Sequence, residues 1–534
     1  MLFPRLFVFI FRTTLLALCF GSLIVAGSSR SLAEDVLTYH YNNAHTGLNE
    51  SETILTPSNV KFTTFGRLFT LTVDGLVDAQ PLYLSAVPVN GVTHKVLIVA
   101  TENDSVYAFD ADTGTQLWQV STLKSGETPS DDRDCRQITP QIGITATPVI
   151  SRPAGSNGVI YVVAMSKDSS GNYYQRLHAL DATTGNELYN GPAAISARYP
   201  GTGDNSSGGY VVFEPSQYVE RAALLLDGLV YLSWSSHCDT RPYTGWIMGY
   251  NPTTLARATV LNVTPNGSEG SIWGAASGLT ADTDGNLFFL DANGVFDSTL
   301  NPKGFPSEGD YGNAFIRLTA TKGLAVADYF EMYNGQTESD DDKDLGSGGA
   351  ILLPPMQDAS GTTWELAAGA GKDGNLYIVN RRNLGKFNAT TNNIYQELSG
   401  VLPGGVWSMP AYFNGQLYYG PVNQPILAFK FQNAKLLSTP TAQTSTIFGY
   451  PGATPSISSN RGQNGIVWAT QNTNPAVLHA YKANTLVELY NSNQAANGRD
   501  HFGAGNKFIT PLIINGKVYV GTTTGVGVFG LLDP

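Results

Sequence analysis

The strongest constraint on this chain is internal repetition. Residues 106–118 read Val-Tyr-Ala-Phe-Asp110-Ala-Asp112-Thr-Gly114-Thr-Gln-Leu-Trp118, and residues 177–189 repeat the plan as Leu-His-Ala-Leu-Asp181-Ala-Thr-Thr-Gly185-Asn-Glu-Leu-Tyr189. Each unit predicts a strand, an Asp-x-x-Thr-Gly turn and a second strand ending in an aromatic. The Asp and Thr oxygens accept turn amides, and Gly takes the left-handed position that closes the hairpin. Weaker copies cover residues 247–258, 287–297, 376–387, 426–437 and 478–490. Ahead of each copy comes another short apolar strand, often opened by proline, as in Ala146-Thr-Pro148 and Ile509-Thr-Pro511. Proline is tolerated there because it starts the strand. Asn515-Gly516, Asn414-Gly415 and Asp284-Gly285 supply further hairpin turns.

First strands begin near residues 79, 146, 222, 275, 348, 409, 453 and 509. Units of this kind cannot bury a face alone and are stabilised by stacking on their neighbours. The predicted fold is therefore all-β: an eight-bladed β-propeller of four-stranded antiparallel blades, with seven blades as the alternative. The last unit supplies only three strands, and residues 66–73 form a strand with no earlier unit to join. Pairing the two would close the ring and hide two sheet edges.

The unit Ala108 to Trp118 resembles the pyrroloquinoline-quinone (PQQ)-type propeller repeat, Ala-x-Asp-x-x-Thr-Gly-x-x-x-Trp. The resemblance extends over about residues 36–534, and Asp134-Cys135 to Pro148, Ser236 to Asp239, Asp344 to Gly349 and Ala370 to Asn375 liken the chain to secreted bacterial propellers of the quinoprotein alcohol dehydrogenase-like superfamily. Catalytic members imply an axial calcium, a catalytic Asp, a Trp platform and, in one branch, an adjacent Cys-Cys disulfide. This chain has no Cys-Cys pair and no Cys-x-x-Cys-His haem motif.

Residues 1–33 carry arginines, an apolar stretch and Ser31-Leu32-Ala33, and are read as a signal peptide. Residues 34–65 are then an N-terminal extension and residues 66–534 the propeller, with no later segment apolar enough to span a bilayer. The expected location is secreted or periplasmic. A net charge of −12 and the lack of any Lys/Arg run argue against a nucleic-acid partner. Once the leader and its Cys19 are removed, Cys135 and Cys238 remain. In an oxidising compartment they are expected to form a disulfide, with free or redox-active thiols as the other reading.

Unusual side chains gather on one predicted rim of the propeller. Asp340, Asp342 and Asp344 alternate like calcium ligands, although a solvated acidic loop has the same pattern. Trp273 and Trp407 can stack a planar ligand or sugar, or simply pack blades. Lys372 can reach a quinone or a carboxylate. His237 and His501 are candidates for proton transfer or for loop hydrogen bonds, and Asp239 with Asp344 could be recruited as a glycosidase pair. Two functions follow. The first is a binding or scaffold protein whose loop-rich rim meets a protein, glycan or small polyol. The alternative is a PQQ-dependent dehydrogenase of alcohols or sugars, with Trp273 or Trp407 under the quinone and Asp344, Asp373 or His501 as catalytic groups. PQQ and calcium are its candidate cofactors.

Overall fold

A computed structural model describes residues 34–533, so the leader expected at residues 1–33 lies outside the described residues. The two best repeat units fold as their composition dictates. Asp110 Oδ1 accepts the Thr113 amide at 2.8 Å, and Asp181 Oδ1 accepts the Thr183 amide at 2.7 Å. Gly114 and Gly185 then turn the chain at φ +76° and +72°. Two drifted copies place Leu255 and Leu486 in the same left-handed conformation, at φ +54° and +53°. Both leucines are buried, so apolar burial offsets the local backbone cost.

Hairpins of this kind assemble into eight sheets of four or more strands among the described residues, antiparallel except where Leu48–Asn49 adds parallel to Ser456–Asn460. They occupy residues 82–121, 149–194, 225–262, 280–330, 351–398, 411–443, 456–491 and 512–531, and are numbered sheets 1 to 8 below. The last takes its fourth strand from the other end of the chain, where Phe65–Thr72 pairs antiparallel with Gly525–Leu531. Sheet 2 also carries an extension, in which Glu127–Asp131 pairs with residues 166–168.

Neighbouring sheets share apolar cores. Trp234 and Trp246 of sheet 3 pack with Tyr161 and Val163 of sheet 2. Trp468 of sheet 7 packs with Ile513 and Phe529 of sheet 8, and Leu512 and Val528 of sheet 8 pack with Leu82 and Val96 of sheet 1. Polar pins reinforce these contacts, because an aromatic of one sheet donates to a turn carbonyl of the next. Trp118 Nε1 donates to Ala182 O at 3.2 Å, Tyr161 Oη to Pro252 O at 2.8 Å and Tyr418 Oη to Ala483 O at 3.0 Å. Trp118, the aromatic that ends the clearest repeat unit, thus has a docking role as well as a packing one.

Residues 36–52 run past the first strand of every sheet in chain order. Val36 exchanges amide hydrogen bonds with Tyr83, and the carbonyls of Leu37, Asn43, Ala44, Thr46 and Gly47 accept from Ile150, Ala281, Leu352, Tyr412 and Ile457. Asn43 Nδ2 donates to Leu226 O at 3.0 Å, and Asn49 Nδ2 to Ile513 O at 2.9 Å. Tyr39, His40 and His45 are buried within this segment, with the Tyr39 and His40 rings stacked 4.8 Å apart.

Burial lowers His40 to about 4 and His45 to about 3. These folded values lie below the ordinary 6.5, so the unfolded chain takes up protons that the fold refuses. This part of the stability is complete above pH 6.5 and is lost as pH falls toward 4 and then 3. In His45→Gln the melting temperature should therefore fall less steeply between pH 6.5 and 4 than in wild type; parallel slopes would contradict this account. A second expectation concerns the repeat turn. A Cβ at Gly185 would lie 2.7 Å from Val120 Cγ1 and 2.9 Å from Trp118 Cε3. Gly185→Ala should cost about 1–3 kcal/mol in denaturant unfolding through overpacking between sheets.

Candidate functional site

The loops that enter the first strands converge on a cavity of about 330 Å³. Arg221 precedes sheet 3, Trp273 sheet 4, Asp344 and Ser347 sheet 5, Trp407 sheet 6, Tyr450 sheet 7 and Phe508 sheet 8, and all of them line it. Turns after second strands add Cys238 and Asp239 from sheet 3 and Lys372 from sheet 5. Gln137, in the extension of sheet 2, also lines it, so one cavity draws on seven consecutive sheets. The segment 36–52 bonds farther along the same first strands, beyond their entry loops.

Within the cavity wall, Lys372 Nζ lies 2.5 Å from Asp344 Oδ1 and is also paired with Asp342. Asp342 in turn accepts from Asn293 Nδ2 at 2.8 Å. Asp344 is buried, and its Oδ2 has no hydrogen-bond partner. Burial raises its carboxyl to about 6, with the Lys372 ammonium opposing that rise. Lys372 itself is held above its ordinary value by Asp344 and Asp342, against the opposing effect of burial. Its ammonium also lies 6.0 Å from the Trp407 ring centre.

Seven side chains singled out from sequence therefore meet here: Trp273, Trp407, Lys372, Asp342, Asp344, Asp239 and Cys238. The tryptophans buried between sheets are others, namely Trp118, Trp234, Trp246 and Trp468. Cys135 and Cys238 form a disulfide with Cα atoms 5.5 Å apart, tying the loop before sheet 2 to the cavity rim.

Other expected site residues point elsewhere. Asp340 is exposed and accepts from Gln336 Nε2 at 2.9 Å. Among the described residues, no group of three His, Cys, Asp or Glu side chains is placed to hold a metal ion. Asp373 accepts from Tyr377 Oη at 2.6 Å, which makes it a turn residue beside the cavity. His501 is exposed and outside the lining. His237 is buried, and burial lowers it to about 4.

Sequence reasoning missed Arg221, Asn293, Tyr450 and Phe508 as site residues. Arg221 did leave a signal, a charge placed directly before a first strand, but its unit has lost the Ala-Thr-Pro pattern.

With 93% of this chain covered, the structure is similar to the quinohemoprotein alcohol dehydrogenase of Comamonas testosteroni at TM-score 0.60 and 15% identity, over 80% of that chain. It is likewise similar to a europium-containing methanol dehydrogenase at TM-score 0.59 and 14% identity, covering 93% of this chain and 98% of that one. The fold is that of the PQQ-like β-propellers. Residues 71–208 also match the PQQ-type family model described as outer membrane protein assembly factor BamB. No curated protein matches the chain by sequence. At these identities the likeness shows the fold of a PQQ-like propeller, while the site has to be argued from its own residues.

Lys372→Gln would leave Asp344 buried without its cation. We expect a loss of about 3–5 kcal/mol at neutral pH. The loss should shrink below pH 6, where Asp344 takes up a proton. Denaturant unfolding at pH 7.5 and pH 5 measures both, and an equal loss at the two pH values would refute the pairing.

Proposed function

We propose that this chain is an exported, quinone-dependent dehydrogenase of alcohols or sugars, acting in the axial cavity of an eight-bladed propeller. In this reading each sheet is a blade, residues 34–65 are an extension ahead of the propeller, and Phe65–Thr72 closes the ring. Export is supported by the leader-like residues 1–33 and by the disulfide. The observation that carries the functional reading is Asp344: a buried carboxyl titrating near 6, with an unpartnered oxygen, in a cavity walled by Trp273 and Trp407.

The residues present fit a planar quinone. The cavity volume suits a ligand of a few fused rings, the two indoles offer aromatic faces, and Lys372 offers a cation. Once bound, a quinone supplies a two-electron acceptor for substrate hydride. The chain's own part is proton handling. Asp344, ionised above about pH 6, can accept the substrate hydroxyl proton at Oδ2 while Lys372 fixes Oδ1. Calcium does not fit the loop of Asp340, Asp342 and Asp344. Asp340 turns away, and the Lys372 ammonium already stands against the other two carboxylates.

The second reading is a scaffold that binds a protein or glycan partner through its rim. The match of residues 71–208 to an assembly-factor model favours it.

Titrating the purified mature chain with PQQ, followed by tryptophan fluorescence and then by dye reduction with a panel of alcohols and sugars, separates the two. The dehydrogenase reading expects saturable binding and a kcat/KM that rises with pH through about 6. Asp344→Asn should lower kcat by about 100-fold or more while leaving quinone binding in place. Absence of quinone binding by folded protein overturns this reading and leaves the scaffold.

A further inference from the structure

Arg221 is only 2% exposed, yet its Nη1 has no hydrogen-bond partner. Its guanidinium carbon lies over the Phe508 ring, 4.1 Å from the ring centre, and the residue lines the cavity. Lys507 stands beside it, donating to Gln137 Oε1 at 2.9 Å. Lys507 lies outside the cavity lining itself; burial and the Arg221 charge make its ammonium more acidic than usual, against the opposing effect of the Asp78 carboxylate. Among the described residues neither cation forms an ion pair, whereas Lys372 and Lys167 do. Two like charges in a partly dehydrated corner repel each other unless an anion joins them.

The carboxylates nearby are each held through one oxygen. Asp344 and Asp342 share Lys372, and Asp239 accepts from Ser236 Oγ at 2.9 Å and Tyr243 Oη at 2.8 Å. Asp78 accepts from Asn506 Nδ2 at 3.1 Å. Asp78 is the one carboxylate whose charge offsets that of Lys507, and among the described residues no carboxylate pairs directly with Arg221, although the chain as a whole carries a net charge of −12.

We propose that Arg221 and Lys507 form a carboxylate-recognition corner, so that the cavity takes an alcohol or sugar bearing a carboxylate, such as a hydroxy acid or a uronic acid. The flat guanidinium supplies paired N–H donors matched to a carboxylate, Lys507 adds charge, and Phe508 with Tyr450 supplies an apolar wall for the carbon frame. The substrate class deepens the dehydrogenase reading and rests on it, but the corner itself is testable without quinone.

The test is calorimetric titration of the whole mature chain, free of quinone, with glucuronate, glucuronamide and glucose. Glucuronate should bind at least tenfold more tightly than either neutral compound, and added salt should narrow the gap. Arg221→Gln should weaken glucuronate about 10- to 100-fold and Lys507→Gln a few-fold, both leaving glucose unchanged. Equal affinity of wild type for glucuronate and glucuronamide overturns the proposal, and that comparison requires no variant to fold. An Arg221→Gln effect confined to quinone binding also overturns it, assigning the corner to the quinone's own carboxylates. Failure of quinone to bind, with glucuronate still selected, would sink the dehydrogenase reading alone.

Discussion

Everything in this molecule is organised around one short stretch of backbone. Residues 36–49 bond, in order, to the first strand of each of the eight sheets. A first strand near the middle of such an assembly has one edge that no strand of its own sheet can satisfy. Backbone groups left there without partners would each cost a substantial desolvation penalty. The segment supplies those partners and buries Tyr39, His40 and His45 in doing so.

Around that centre, the contacts between sheets explain why the repeat looks as it does. The Asp and Thr of the turn are satisfied locally, so their roles are legible within one hairpin. The glycine and the terminal aromatic have meaning only between sheets. Gly185 leaves room for Trp118 and Val120 of the preceding sheet, and Trp118 reaches across to the Ala182 carbonyl. Units that depart from the pattern compensate in kind, as the buried leucines at the left-handed turn positions 255 and 486 illustrate.

The cavity inherits its chemistry from this arrangement. Its walls come from loops placed just before first strands, joined by turns after second strands that bring Asp239 and Lys372. Loops on a rigid scaffold are the usual place for binding and catalytic groups. The site divides into a paired region, Lys372 with Asp342 and Asp344, and an unpaired cationic one, Arg221 with Lys507. Aromatic rings lie along the wall that joins them.

The all-β class and the hairpin spacing were legible in the sequence, because turn chemistry and alternating strands are local properties. So were Trp273, Trp407, Lys372, Asp342 and Asp344, which stood out as rare side chains in otherwise bland loops. Their convergence was not legible, since these residues lie up to 134 positions apart (273 to 407) and meet only when successive sheets stack. Asp373 shows the limit from the other side: one residue from Lys372 in sequence, it turns to Tyr377 and leaves the cavity. Asp340 likewise shares the loop of Asp342 and Asp344 but faces Gln336 and solvent. Arg221 lay hidden in a drifted unit, and its importance is a matter of absent partners, which only the packed structure can reveal. Sequence alone determined the repeated hairpin, because its hydrogen bonds close within a dozen residues. Tertiary structure decided the site, because burial, ion pairing and the lack of either depend on what the neighbouring sheets bring near.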